Sequence, residues 1–113
     1  MIKKLVTLAA LAMLLGSPTS YAAGAITGNE LAGYCEKGAG KDASAAQKAL
    51  CGGYVAGVFD TASGAFICSP KGVTVGQLVS IVTKYFRENP EWLHDNAAVL
   101  VTAALAEAFP CSD

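Results

Sequence analysis

Four cysteines, Cys35, Cys51, Cys68 and Cys111, follow a secretory leader in a chain too short to rely on its core alone. The leader has its parts in order. Lys3 and Lys4 supply positive charge, Leu5 to Leu15 form an uncharged apolar run, and Gly16 to Ser20 interrupt it. Ser20-Tyr21-Ala22 then places small residues at the two positions a signal peptidase reads, so cleavage is expected after Ala22 or Ala23. The apolar run falls well short of the roughly 20 residues that cross a bilayer. Residues 1–22 are therefore expected to be a signal peptide and residues 23–113 one exported domain.

In an oxidising compartment an even number of cysteines points to structural disulfides. A domain of this size buries too little surface to be secure without such help. No Cys-x-x-Cys pair is present, which argues against redox catalysis. Zinc is also a poor fit, because no two cysteines are close in sequence and His94 is the only histidine. Without Lys3 and Lys4, six basic residues face nine acidic ones. That balance speaks against nucleic acid or an anionic membrane surface as the partner.

Helix starts are easy to read. Thr27-Gly28-Asn29-Glu30, Ser44-Ala45-Ala46-Gln47 and Thr74-Val75-Gly76-Gln77 each match the reciprocal capping box, with Ile26/Leu31 and Val73/Leu78 as flanking staples. The first helix is expected to carry Leu31, Tyr34 and Cys35 on one face and to end at Gly38 to Gly40. The second runs from Ala45 to about Ala62 with Leu50, Cys51, Tyr54, Val55, Val58 and Phe59 on one stripe. Gly53 and Gly57 each cost roughly 1 kcal/mol against alanine. The expected return is a close helix–helix approach, with a ligand lying against them as the alternative. A loop, Ser63 to Gly72, closes in the turn Ser69-Pro70-Lys71-Gly72.

The third helix presents Val75, Leu78, Val79, Val82, Tyr85 and Phe86. Asn89-Pro90 is expected to end it and to begin the fourth, Asn89 as cap and Pro90 as first residue. Leu93, Ala97, Leu100, Val101, Ala104, Leu105 and Ala108 then recur at helical spacing, with a kink expected near Asp95-Asn96. No stretch alternates with period two for long. The fold class is all-α, a small disulfide-stapled bundle of four main helices. If neighbouring helices run antiparallel, Cys35–Cys51 and Cys68–Cys111 are the favoured pairs among three connectivities.

Little here reads as catalytic machinery. His94 has no recognisable nucleophile beside it, and cysteines held in disulfides offer no thiolate. No phosphate loop, metal loop or cofactor motif is present, so no catalytic, cofactor or metal residue is assigned. Glu88, Glu91 and Asp95 form an acidic edge around Asn89-Pro90, suited to a basic patch on a protein partner. Tyr34, Tyr54, Phe59, Tyr85, Phe86 and Phe109 are expected in the core. Trp92 stands apart among the carboxylates, as packing or as an interface anchor.

Three ordered segments resemble the Rap/Tai family of type VI secretion immunity proteins: Cys51-Gly52-Gly53-Tyr54-Val55-Ala56-Gly57-Val58, Phe66-Ile67-Cys68-Ser69-Pro70 and Gly72-Val73-Thr74-Val75-Gly76-Gln77-Leu78. Asn89-Pro90-Glu91, Leu93-His94 and the ending Ala104-Leu105 through Ala108-Phe109-Pro110-Cys111 continue the pattern. The resemblance implies a periplasmic, all-helical, disulfide-bonded protein that occludes a secreted peptidoglycan amidase effector, in several members as a homodimer, and has no enzyme activity. The matched residues build the fold, so no effector-contacting residue is carried over. Glu88, Glu91, Trp92 and Asp95 are the candidate contacts on charge and Trp92 alone. The competing readings are an acid-stress chaperone of the HdeA type and an exported binding module for another ligand.

Overall fold

The computed structural model describes residues 24–112, so the predicted signal peptide and its cleavage point lie outside the described residues. Helix α1 spans Gly28–Gly38, α2 Ala45–Ala62, α3 Val75–Glu88 and α4 Ala97–Ala108, with a 3-10 turn at Pro90–Trp92 between α3 and α4. Among the described residues there is no strand, only two isolated bridges, Thr27 with Asn96 and Ser63 with Ile67. The chain is all-α, as its periodicity predicts.

Two of the three capping boxes close in both directions. Gln47 N–H donates to Ser44 Oγ at 3.1 Å while Ser44 N–H donates to Gln47 Oε1 at 2.9 Å. Thr74 and Gln77 do the same at 3.1 and 2.8 Å. The third is half of the expected motif. Glu30 N–H reaches Thr27 Oγ1 at 3.3 Å, without a return bond from Glu30. Main-chain carbonyls serve this helix end instead. Gly28 N–H donates to Asp95 O at 2.9 Å and Asn29 N–H to Leu93 O at 2.8 Å.

The start of α4 corrects the sequence expectation. Asn89 does not cap forward. Its Nδ2 donates back to Tyr85 O at 2.9 Å and finishes α3, and Pro90 opens only the 3-10 turn. The helix proper begins after Asn96, whose Oδ1 accepts from Ala98 N–H at 2.8 Å. The expected kink is a break, and Leu93 falls before the helix.

Every helix packs on each of the other three. Their common core holds Leu31, Val55, Ile67, Leu78, Val82, Phe86, Ala97, Leu100, Val101, Ala104 and Leu105, with no polar or charged side chain buried among the described residues. Of the six aromatics expected inside, only Phe86 is fully buried. The other five are half-buried against the core. Leu50 and Val75 depart from their predicted stripes, at 53% and 47% exposed. Leu50 lies off the line that Cys51, Val55 and Ala62 bury, and Val75 overhangs at the first turn of α3.

Disulfides join Cys35 to Cys51 and Cys68 to Cys111, with Cα–Cα distances of 4.8 and 4.9 Å. The first ties α1 to α2. The second ties the segment before α3 to the end of α4, which therefore run antiparallel. They close chain separations of 16 and 43 residues. On the chain-entropy account each contributes about 3–4 kcal/mol by restricting the unfolded state.

The close approach expected of Gly53 and Gly57 is not there. A Cβ at either position would meet nothing within 4 Å. The tight contacts fall elsewhere. A Cβ on Gly38 would sit 2.9 Å from the Gln47 carbonyl oxygen, where α1 meets the start of α2. One on Gly28 would sit 2.5 Å from Leu100 Cδ1, where α1 meets α4.

Candidate functional site

The segment from Glu88 to Asp95 turns the chain from α3 into α4, and its shape follows from its backbone bonds. Trp92 N–H donates to Asn89 O at 3.2 Å and Asp95 N–H to Trp92 O at 2.9 Å, winding it into consecutive turns. Its Leu93 and Asp95 carbonyls take the first amides of α1, and Ala97 N–H donates to Ile26 O at 3.0 Å. The corner is thus bonded through its main chain to the opposite end of the domain sequence. A helix N-terminus has unsatisfied amides that need acceptors, and here the corner supplies them.

The four candidate contact residues all lie at this corner. Glu88 ends α3, Glu91 and Trp92 stand in the 3-10 turn, and Asp95 follows it. Glu88 and Glu91 are exposed, and Trp92 is 51% exposed, so about half of its surface is open to solvent and half packs on the corner. His94 Nε2 lies 3.3 Å from Asp95 Oδ1, with the His94 side chain largely in water and that of Asp95 about half-exposed. An exposed pair of this kind contributes little to stability.

Beside the corner, between α1 and α3, a groove of about 530 Å³ opens over Ala32, Cys35, Phe86 and Leu93, with Glu36 and Arg87 among its lining residues. Its surface is mostly apolar. A rigid turn that presents an exposed aromatic next to an apolar groove is suited to receiving a protein surface. Partly buried aromatic anchors with charged surroundings carry much of the energy in such contacts.

Sequence reasoning missed a second surface. A shallow groove of about 520 Å³ runs between α2 and α4 over Gly53, Gly57, Thr61, Phe66, Ala98 and Thr102. Its threonine hydroxyls are spent on their own helices: Thr61 Oγ1 donates to Gly57 O and Thr102 Oγ1 to Ala98 O, each at 2.8 Å. Tyr54 also lines the groove, and the surface as a whole is mostly apolar and carries no charged residue. Phe66 borders it at 66% exposed, and Leu50 shares the α2 stripe of the glycines. The signal was present in the sequence as Gly53 and Gly57, whose alternative reading was a ligand lying against them.

Among the described residues all four cysteines are disulfide-bonded, no group of three or more His, Cys, Asp or Glu is placed to hold a metal, and no helix is long and apolar enough to cross a membrane. No curated protein matches the chain in sequence. The family model for Rap1a immunity proteins matches residues 27–111, from the cap of α1 to the last cysteine. With both disulfides, all four helices and the corner inside the match, the chain belongs to the Rap1a immunity protein family.

Proposed function

We propose that this chain is exported by cleavage of residues 1–22 and that residues 23–113 act in the periplasm as the immunity partner of a type VI secretion amidase effector. The domain covers the effector's catalytic cleft, so peptidoglycan peptide bonds in the producing cell stay uncut, and it does no chemistry of its own. Membership of an immunity family carries the binding of an effector. The amidase and the compartment are the finer part of the proposal, supported by the leader and by the resemblance of the cysteine-bearing segments.

The observation that supports this contact is Trp92, half-exposed on a corner held by main-chain hydrogen bonds within itself and to the start of α1. Glu88, Glu91 and Asp95 surround it with negative charge, complementary to a basic rim on an effector cleft. A surface already held in its binding shape loses little freedom on association, which favours tight occlusion. The proposal includes a homodimer, for which the uncharged α2–α4 groove offers an apolar surface.

The chaperone reading requires acid to release something. Stability changes with pH only where a group's affinity for protons differs between folded and unfolded states. The described residues bury no ionisable side chain that could act as such a trigger. A refolding assay at low pH separates the two readings. The immunity reading predicts no gain of chaperone activity on acidification, and it predicts co-purification with a peptidoglycan amidase, lost when Trp92 and Glu91 are replaced together. Undiminished effector binding by that double variant would remove the corner from the proposal.

A further inference from the structure

The two disulfides differ in their access to solvent. Cys35 and Cys51 are each 3% exposed, inside the packing of α1 on α2, whereas Cys68 and Cys111 both lie at the surface. Thiol–disulfide exchange needs an attacking thiolate to reach a sulfur, so access sorts the two bonds before any difference in intrinsic reactivity acts. We propose that Cys68–Cys111 is a redox-addressable clasp, opened by a dithiol reductant in the folded protein while Cys35–Cys51 stays closed.

The step balances without any group from the protein beyond the two sulfurs. A thiolate of the reductant bonds to one sulfur and the other cysteine leaves as thiolate, giving a mixed disulfide. The reductant's second thiolate then attacks its own sulfur in that mixed disulfide and expels the remaining cysteine. Two electrons pass from the dithiol to the protein, Cys68 and Cys111 each gain a proton, and the reductant departs as its own disulfide.

What opening releases is local. Apart from the covalent bond, Cys68 is held to the C-terminal segment by its N–H donating to Phe109 O at 2.9 Å. Ile67, fully buried, keeps the loop anchored from the other side. Phe66, next to Ile67 on the same loop, lines the α2–α4 groove, so the state of the clasp bears on that surface. The Trp92 corner lies at the opposite end of α3 and α4, and the α1–α3 groove is bordered by the buried bond at Cys35. Loosening on opening is therefore confined to the side of the bundle that carries Phe66, away from the Trp92 corner.

The test uses the oxidised mature protein. It is titrated with dithiothreitol under native conditions, quenched with N-ethylmaleimide, and its adducts are mapped by mass spectrometry. A species with two adducts, on Cys68 and Cys111, should accumulate before any species with four, and denaturant should abolish that order. Three results would overturn the proposal: first adducts on Cys35 and Cys51, four adducts without a two-adduct stage, or no adducts until the protein unfolds.

Discussion

Tyr54 reaches from α2 toward α4, and its burial pushes the hydroxyl above its usual range, partly offset by the Ala98 backbone. A phenol with a raised folded-state pKa stays neutral where the unfolded chain has begun to ionise. The folded state then binds more protons, so stability falls as pH rises through the unfolded value of about 10. Tyr54→Phe should flatten that decline in a series of denaturant melts between about pH 8 and pH 11, and an unchanged slope would contradict it. The glycines make a second residue-scale test. With open space over Gly53 and Gly57, alanine at either should stabilise α2 by about 0.5–1 kcal/mol. Gly38→Ala should instead destabilise by about 1 kcal/mol or more, because its Cβ would press on the Gln47 carbonyl. Chemical denaturation reads both, and a loss of stability in Gly53→Ala or Gly57→Ala would restore the close-packing account.

At the scale of elements, the caps decide where α2 and α3 begin. Ser44→Ala and Thr74→Ala should each cost about 1 kcal/mol, measurable as a lower denaturation midpoint. Thr27→Ala should cost less, since α1 also draws on the Leu93 and Asp95 carbonyls. An equal cost at all three would mean that those carbonyl bonds add nothing. The same contrast explains what was legible beforehand. Ser44-x-x-Gln47 and Thr74-x-x-Gln77 are local motifs whose bonds depend on their own residues, so both helix starts could be read directly. The start of α4 could not. Asn89 and Asn96 are both good caps by type, and only the packing of the corner on α1 sends Asn89 back to Tyr85 and leaves Asn96 to open the helix. Leu50 misled for a related reason, since an apolar residue beside a buried stripe does not reveal that its own side of α2 faces solvent.

At the scale of the molecule, a core without buried polar side chains among the described residues and two covalent ties leave a scaffold that holds its surface shape. The signals for class, helix number and family were spread along the chain in cysteines, caps and breakers, which are the residues that build such a scaffold. The contact surfaces left weaker traces, because they depend on which helix faces remain uncovered once the bundle has formed. Trp92 was noticeable in sequence for its acidic neighbours, while the α2–α4 groove emerged only when Gly53 and Gly57 proved to face open space. The corner is the proposed place where an effector is stopped. The direct measurement is peptidoglycan hydrolysis by a cognate type VI amidase, titrated with the mature protein and with its Trp92→Ala/Glu91→Lys variant. The wild type should abolish hydrolysis near equimolar ratio, and the variant, with an unchanged melting temperature, should need at least about tenfold more, the equivalent of about 1.4 kcal/mol. Hydrolysis that continues in excess wild-type protein, or inhibition equally strong with the variant, would contradict it.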